Sequence, residues 1–279
     1  MSTRISPAVR RRRLALELRR LRDEAGIKAA DVAKELGCSP GKISQLENGH
    51  VGVTVPDVKA MLELYGVTAE RRDALVELAR SAREHGWWEP YADAMHPWRR
   101  SYVGLETEAS TVLAYRSELV PGLLRTEDYV RAVLAARPEP APAEQVIALV
   151  GLYRERQASL DAGTWRFVLD ESVLRRLVGS AEIMRGQLDR LLEAGKRENV
   201  TLQVLPFAAG AHPAACGSYT VLEFAQDPAV VYLEHLTGAE YVEDEDAVHR
   251  YRAVFEALTT RALSRTRSAT LIRDAAREL

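Results

Sequence analysis

The sequence has few cysteines and no long apolar run, and each shortage excludes a class of protein. Its two cysteines, Cys38 and Cys216, lie far apart and form neither a disulfide framework nor a metal-ligand pattern, so we expect a reduced protein. No apolar run approaches the roughly 18 residues of a membrane span. The basic start leads into an amphipathic helical pattern, not the apolar core of a signal peptide. We therefore expect a cytoplasmic protein without a membrane partner.

The net charge of −2 hides a difference between the two parts of the chain. Residues 1–85 contain 16 Lys and Arg against 12 Asp and Glu, whereas the remainder contains 22 against 28. With 279 residues, 47% of them hydrophobic, the chain is long enough for two ordinary cores. A basic first third followed by an acidic remainder is typical of one module for nucleic acid and another for a different partner.

Residues 27–49 read as two short helices joined by a tight turn. Their apolar positions at helical spacing are Val32, Ala33, Leu36, Ile43 and Leu46. Between the helices, Gly37 ends the first, Ser39 is a suitable N-cap and Pro40 fits the first turn of the second. The pattern predicts a helix-turn-helix.

The second of these helices has a polar face. With Ile43 placed inward, the outward positions are Gly41, Lys42, Ser44, Gln45 and Asn48. Amides and Lys can hydrogen-bond to base edges in the major groove, and Ser, Asn and Lys can bind phosphates. Glu47 falls nearer the buried side, where a lone carboxylate is costly, so we expect a basic partner for it.

This stretch resembles the helix-turn-helix of the Xre, or lambda-repressor-like, family. The family's QLENG motif stands here as residues 45–49. The resemblance implies that Arg22 pairs with Glu47, that Asn48 contacts phosphate and that Gln45 reads a base. Pro40 and Gly41 stand where some members carry base-reading amides, so more of the readout would fall to Lys42, Ser44 and Gln45.

An arginine run, residues 10–13, opens the first predicted helix. Such a run is often only a solvated helix face, but beside a helix-turn-helix the phosphate-contact interpretation is the better one. Each arginine that meets a phosphate should add about 0.9 to the salt dependence of binding. The predicted DNA-binding residues are Lys28, Ser39, Lys42, Ser44, Gln45, Asn48, Arg11 and Arg12.

The predicted fold class is mainly α, in two domains. Residues 1–85 form a five-helix domain, 86–104 an aromatic and proline-rich connector, and 105–279 an α+β domain with a small, mostly antiparallel sheet and a C-terminal helix. The connector's tryptophans read as an interdomain anchor, with base stacking by residues 98–102 as the alternative. Helical patterning is expected from Glu106 to about Leu119.

The second domain also resembles known proteins. The stretches LVPGLLRTEDYVRAVL, LDESVLRRLVGSAEIMRGQLDRL and LQVLPFAAGAHPAACGSYTVLEF look like the C-terminal domain of many actinobacterial regulators. The biochemical role of that domain is unsettled. The resemblance implies an antitoxin-like regulator domain that follows an Xre-type module and is often encoded beside a small partner protein.

Four polar residues in the second domain suggest chemistry: His212, Cys216, Glu234 and His235. Their spacing fits no common structural zinc pattern, and a Cys216 nucleophile would lack a visible orienting group. We interpret them as loop and strand-end groups, and we expect no catalytic residue, metal or cofactor. The acidic run 243–246 reads as a helix start or, alternatively, a surface for a basic partner. The loop 205–217 reads as a connection or a ligand mouth.

Taken together, these patterns predict a sequence-specific DNA-binding transcription regulator associated with the nucleoid. We expect a homodimer that reads a two-fold operator, with the second domain providing dimerisation and a surface for a protein or small-molecule signal. The alternative is an antitoxin-like module that binds a small partner encoded by a neighbouring gene and regulates its own expression. A third class, an enzyme tethered to DNA, would require an activity that depends on Cys216 or a histidine.

Overall fold

The computed structural model describes residues 7–47, 49, 51–84 and 86–279. These residues divide into two compact units, one ending at Glu89 and the other running from Pro90 to Leu279. Among the described helices, none combines the length and the apolar composition needed to cross a membrane. The boundary between the units falls within the stretch 86–104, which we predicted as a connector.

The described residues of the first unit form five α-helices, as predicted. They are α1 (Pro7–Glu24), α2 (Ala29–Glu35), α3 (Pro40–Glu47), α4 (Val55–Leu64) and α5 (Ala69–Ser81). The Thr54 hydroxyl caps α4 by accepting a hydrogen bond from the Asp57 amide at 3.2 Å. Thr68 precedes α5 but makes no capping hydrogen bond through its side chain.

One apolar cluster holds the first unit together, and all five helices contribute to it. Its most deeply buried members are Leu14, Leu18, Val32, Ile43, Val58, Met61, Leu62 and Ala79. These positions recur at intervals of three and four residues within each helix, so every helix turns one apolar stripe inward. Because α2 and α3 both bury such a stripe, their outer faces carry the remaining, mostly polar residues.

The second unit is an α+β structure. Its helices are α6 (Pro97–Glu108), α7 (Glu127–Ala135), α8 (Ala143–Arg156), α9 (Ser172–Arg175), α10 (Ala181–Ala194), α11 (Glu245–Arg261) and α12 (Arg265–Arg277). Its strands are β1 (Thr111–Arg116), β2 (Thr164–Asp170), β3 (Val200–Leu205), β4 (Tyr219–Glu223), β5 (Val230–His235) and β6 (Gly238–Val242). Short 3₁₀ turns occupy Glu89–Ala94, Gly122–Leu124, Gln157–Asp161 and Phe207–Ala209.

The six strands form one mixed sheet in the order β3-β2-β1-β4-β5-β6. Strands β1, β2 and β3 are parallel, whereas β4, β5 and β6 continue the sheet in antiparallel fashion. Tyr115 in the central strand β1 lies opposite Val168 on one side and Tyr219 on the other. Three of the five strand pairs are antiparallel, in agreement with the predicted mostly antiparallel sheet, but the sheet is larger than predicted because its central strand β1 was not expected.

Two elements near the start of the second unit differ from the prediction. Residues 111–116, expected to be helical, form the central strand β1. Helix α6 begins at Pro97, inside the predicted connector, because proline is well suited to the first turn of a helix. At the other end of the unit, the predicted C-terminal helix is present as α11, and α12 follows it.

Helix α11 packs on one face of the sheet. Phe255 and Leu258 of α11 are fully buried in a cluster with Leu113, Tyr115 and Val221 of the sheet. The Asp244 carboxylate begins this helix by accepting a hydrogen bond from the Ala247 amide at 2.9 Å, so the acidic run serves as a helix start, as expected. The opposite face of the sheet carries Arg116, Thr220 and Tyr232, and a set of polar and aromatic side chains packs there.

The connection between α11 and α12 covers the outer edge of β3. The Leu263 amide donates a hydrogen bond to the Val204 carbonyl at 2.8 Å, and the Ser268 hydroxyl accepts one from the Val204 amide at 2.9 Å. The Arg265 guanidinium also binds the Val200 carbonyl at 3.0 Å. The C-terminal segment thus satisfies the outward-facing amide and carbonyl of Val204 and the carbonyl of Val200.

Candidate nucleic-acid interface

The turn between α2 and α3 has the geometry that its sequence predicts. Gly37 has a φ of 62°, a left-handed conformation that a residue with a side chain rarely adopts. The Cys38 amide bonds to the Ala33 carbonyl at 2.9 Å and closes the end of α2. The Ser39 hydroxyl then caps α3 by accepting from the Lys42 amide at 3.2 Å. The turn is therefore fixed by local bonds, which set the start of α3.

Helix α3 separates buried from exposed side chains as the helical wheel predicts. Ile43 and Leu46 are 0% and 3% exposed. By contrast, the side chains of Lys42, Ser44 and Gln45 on the same helix are exposed. These three offer a cation, a hydroxyl and an amide, which are groups that hydrogen-bond to base edges and phosphates.

Three further residues of the helix-turn-helix were predicted to bind DNA, and two of them are exposed. Lys28 is exposed at the residue before α2, and Ser39 is exposed at the turn. Asn48, the predicted phosphate contact at the end of the motif, lies outside the described residues. Gly49 follows with a φ of 69°, and a β-carbon placed there would stand 3.6 Å from the α-carbon of Arg12. The end of the motif therefore lies against α1.

Arg22 and Glu47 form the ion pair that the resemblance implies. The Nε and Nη2 atoms of Arg22 donate to the two Glu47 carboxylate oxygens at 2.6 and 2.9 Å. Nη1 donates to the Ile27 carbonyl at 3.0 Å, so the same guanidinium joins α1, the start of α2 and the end of α3. The Glu47 hydrogen bond, opposed by burial, raises the pKa of Arg22. Because Glu47 is only 5% exposed, this two-point contact compensates the burial of its charge.

The α1 arginines do not form one solvated row. Arg11 is half-buried, but Arg12 is only 7% exposed, so its side chain packs within the unit instead of projecting into solvent as a phosphate contact would require. Arg10 bonds to Glu84 at 2.9 Å, and Arg20 bonds to acidic residues of its own helix. Of the two predicted arginine contacts, the burial pattern favours Arg11 and disfavours Arg12.

The four polar residues considered for chemistry in the second unit do not form one cluster. The His212 ring lies beside Tyr115, with Nε2 and the phenol oxygen 3.4 Å apart. Cys216 is exposed, and Glu234 forms an ion pair with Arg99 at 2.7 Å. His235 lies beside Thr237 at 3.3 Å. Among the described residues, no group of three or more His, Cys, Asp or Glu side chains is arranged to hold a metal ion.

A cluster of arginines and tyrosines on the sheet face opposite α11 was not predicted from the sequence. Its members are Arg99, Arg116, Arg125, Arg156, Tyr102, Tyr153 and Tyr232. One signal was available, because Arg156 stands in α8 at a helical position four residues after Leu152, which is buried. An arginine on an apolar stripe usually has a buried partner, here Glu106 at 2.7 Å.

Comparison with known proteins gives two matches along the chain. Residues 13–75 match a family described as a helix-turn-helix domain. Residues 99–274 match a family described as a domain of unknown function, DUF5753. No curated protein and no solved structure matches the chain.

The helix-turn-helix match coincides with the elements that present Lys42, Ser44 and Gln45, and it supports a DNA-binding regulator. The other match includes the whole sheet and most of the helices that pack on it, and it spans more than half of the chain. The protein therefore belongs to the DUF5753 family, and in this member a helix-turn-helix domain precedes the family domain.

Proposed function

We propose that the protein is a sequence-specific transcription regulator that binds double-stranded DNA as a homodimer on a two-fold operator. The observation that carries this proposal is the outer face of α3, where Lys42, Ser44 and Gln45 are exposed while Ile43 and Leu46 are buried. A short helix of this kind, fixed on its apolar side and polar outside, suits the major groove. Such a protein would act at the nucleoid in the cytoplasm.

We also assign the first unit to the Xre, or lambda-repressor-like, group. The QLENG motif and the Arg22–Glu47 pair support this assignment. The resemblance of the second unit to the C-terminal domains of actinobacterial regulators supports an actinobacterial source for the protein. In this proposal the second unit provides dimerisation and receives a signal, and it has no catalytic role.

Selection of bound sequences from a random DNA pool, at two salt concentrations, tests the proposal. Enrichment of two related half-sites about 34 Å apart, on successive major-groove faces, is the expected result for a dimer. The affinity should fall with salt by a slope of about 0.9 for each phosphate contacted. A pool that shows no enrichment at either salt concentration would contradict sequence-specific binding.

The Gln45→Ala variant then tests whether α3 reads bases. It should lose discrimination at one position of each half-site, by about 1 to 3 kcal/mol, because an amide can pair with two atoms of adenine. Gln226→Ala, in the exposed turn between β4 and β5, is the matched control and should select the same sequences as the native protein. Identical preferences for Gln45→Ala and the native protein would remove Gln45 from the readout.

A second candidate function is an antitoxin-like module that binds a small neighbouring-gene product and uses DNA to regulate its own expression. Its support, besides the resemblance, is that the second unit exposes the large apolar side chains of Ile147, Leu177, Phe207 and Leu236. Leu236 is 98% exposed between β5 and β6. Co-purification of the neighbouring product, lost in Leu236→Ser, would favour this function over a small-molecule signal.

A further inference from the structure

The arginine and tyrosine cluster of the second unit lines a cavity. This cavity, about 200 Å³ in volume, is bordered by Arg99, Arg116 and Arg125 together with Glu118, Glu234 and Tyr232. It lies on the face of the sheet opposite α11, beside the end of β1. Three guanidinium groups thus face two carboxylates, and the lining carries one excess positive charge.

The two carboxylates hydrogen-bond to other groups and not directly to Arg116 or Arg125, although, against the effect of burial, the charge of Arg116 contributes to lowering the pKa of both. Glu234 binds Arg99 through both oxygens, at 2.7 and 3.0 Å. Glu118 accepts hydrogen bonds from the hydroxyls of Ser117 and Ser218. Within the described part of the chain, neither Arg116 nor Arg125 forms an ion pair with a carboxylate.

Arg116 and Arg125 are held by neutral groups instead. Arg116 donates to the carbonyls of Tyr115 and Tyr219 and to the hydroxyl of Thr220, each at 2.7 Å. Arg125 donates to the Val120 carbonyl at 2.7 Å and, less closely, to the Tyr153 hydroxyl at 3.4 Å. An arginine has five N–H donors, so both guanidinium groups keep donors available while their positions are fixed.

The positive charge of the cluster changes the pKa of a neighbouring tyrosine. Burial tends to raise the pKa of Tyr153, but Arg99, Arg125 and Arg156 outweigh it and lower that pKa to about 7. Burial also lowers the pKa of Arg125. The Tyr153 shift therefore comes from the neighbouring guanidinium groups, whereas the Arg125 shift comes first from its weak solvation. The cluster is electrostatically suited to an additional anion.

Tyr232 provides a second, independent observation. It lines the cavity and is 4% exposed, with its ring stacked on Tyr102 at 4.2 Å between centroids. Its hydroxyl is buried and has no hydrogen-bond partner among the described residues. A buried hydroxyl without a partner is costly, so a bound group that reached it would relieve that cost.

A larger cavity of about 520 Å³ adjoins the first one and shares Glu118, Ser218, Tyr219 and Glu234 with it. Its remaining lining, on the α11 side of the sheet end, is largely apolar, with contributions from Pro213, Ala214, Leu233, Tyr251 and Val254, and it also includes Cys216 and the cationic Arg250. This lining includes part of the loop 205–217 that we considered as a ligand mouth. A cavity of this size accommodates a small organic molecule but not a macromolecule.

We propose that the second unit binds a small organic anion, with its carboxylate or phosphate group against Arg116 and Arg125 and its apolar body in the adjoining cavity. Guanidinium groups bind both kinds of head group through paired hydrogen bonds. We assign this ligand as the signal that alters DNA binding, and this role rests on the proposed function. Anion binding itself does not depend on that function.

Calorimetric titration of the full-length protein, without DNA, tests the site with four probes. Octanoate and octyl phosphate carry both features of the proposed ligand, inorganic phosphate carries only the charge, and octanol carries only the apolar body. We expect the two amphiphilic anions to bind more tightly than the other probes, and their relative affinity identifies the preferred head group. Octanol binding as tightly as octanoate would overturn the proposal.

The Arg125→Gln variant should weaken binding of the preferred probe by at least about tenfold, because it removes a buried charge-assisted contact. Arg154→Gln, on the exposed side of α8, is the control and should bind like the native protein. Equal affinities for Arg125→Gln and Arg154→Gln would contradict the assignment.

A spectroscopic measurement on the native protein keeps the test valid if Arg125→Gln does not fold. A bound anion should raise the pKa of Tyr153, so near its midpoint of about 7 the ultraviolet absorbance of tyrosinate should decrease on binding. Tyr153→Phe should abolish this signal, whereas Tyr91→Phe should keep it. Binding without any change in tyrosinate absorbance would place the anion elsewhere.

The same probes added to a DNA-binding assay separate the two proposals. A changed operator affinity with the bound anion, absent in Arg125→Gln, would support its role as a signal. Anion binding without an effect on DNA would retain the site and reject that role. Failure of DNA selection together with intact anion binding would reject only the proposed function.

Discussion

The two units of this protein use arginine in opposite ways. In the first unit, the buried Glu47 has its arginine, Arg22, bound to it through two hydrogen bonds, and most other cations lie at the surface. In the second unit, four arginines gather beneath one face of a sheet, and among the described residues only Arg99 and Arg156 of these four form ion pairs with carboxylates. The first arrangement fixes a fold, whereas the second leaves a charge available for binding.

This difference shows that the net charge of a region does not reveal the character of its sites. The residues after 85 carry more acidic than basic side chains, yet they enclose the cationic cavity. Their acidic groups include surface pairs such as Arg166–Glu256 and the capping residue Asp244. Partner chemistry therefore depends on which charges are brought together inside, not on their sum.

The largest expected effect comes from breaking the buried pair of the second unit. Arg156→Met should lower the free energy of unfolding of that unit by about 3 to 5 kcal/mol, because Glu106, at 3% exposed, would lose its counter-charge. Thermal and denaturant unfolding of the full chain would measure this loss. Arg154→Met, on the exposed side of the same helix, should change stability by no more than about 0.5 kcal/mol.

The double variant Arg156→Met with Glu106→Gln sharpens that result. It should recover much of the stability, since no unpaired charge remains buried. If the double variant were as unstable as Arg156→Met, the loss would come from packing against Tyr102 and Tyr153. The unpaired charge of Glu106 would then not explain the instability of Arg156→Met.

A smaller effect is expected for the pair of the first unit. Glu47→Gln should lower stability by about 2 kcal/mol, because the amide keeps one acceptor but loses the charge that compensates the half-buried Arg22. DNA affinity should fall as α3 loses its fixed position. Glu35→Gln, exposed at the end of α2, is the control for loss of one negative charge, and similar unfolding midpoints for both variants would contradict the structural role of the pair.

The pH dependence of stability should distinguish the second unit from the first. The pKa of Tyr153 is about 7 in the folded protein, whereas an unperturbed tyrosine has a pKa of 10.0. The folded state thus favours the ionised form, and the resulting stabilisation is complete above pH 10, decreases as the pH falls, and is absent below about 7. As the pH rises from about 7 to 10, the free energy of unfolding of the native protein should increase relative to that of Tyr153→Phe.

Urea unfolding at several pH values, for the native protein, Tyr153→Phe and Tyr91→Phe, measures this dependence. Tyr91 is a suitable control because its hydrogen bond to Glu155 raises its pKa, so it stays protonated near neutral pH. Parallel curves for the native protein and Tyr153→Phe would show that the arginine cluster does not favour the tyrosinate form.

The smallest effect on the fold is expected at the surface of the first unit. Arg11→Ala should leave stability within about 0.5 kcal/mol of the native protein but reduce the salt slope of DNA binding by about 0.9. Arg267→Ala, exposed on α12, removes the same charge from the second unit and should leave the slope unchanged. Equal slopes for all three proteins would exclude Arg11 as a phosphate contact.

The sequence predicted the first unit well because its determinants are local. Apolar spacing identified all five helices, and residues 37–40 identified the turn, since a left-handed glycine, a capping hydroxyl and a first-turn proline act within a few residues. The Arg22–Glu47 pair spans 25 residues along the chain, and it was expected only through the family resemblance. The burial of Arg12 was not anticipated, because a run of four arginines has no apolar periodicity.

The second unit was harder to predict because its determinants are distant. Strand β1 is buried on both faces, so Val112, Leu113, Ala114 and Tyr115 form a continuous apolar run that lacks the alternation of a half-exposed strand. The cationic cavity draws its arginines from α6, from β1 and from the segment that follows the 3₁₀ turn Gly122–Leu124. Their proximity depends on how the sheet assembles, which no local pattern reveals.

The covering of β3 has a consequence for how molecules of this protein meet. A sheet with an open outer strand can accept a strand from another copy, and such additions lead to domain swapping and fibrils. Since Val204 uses both its amide and its carbonyl within the chain, intermolecular strand addition is blocked beside it. Of the two outer strands, β6 carries the exposed carboxylate of Glu240, whose charge discourages a second copy from docking there.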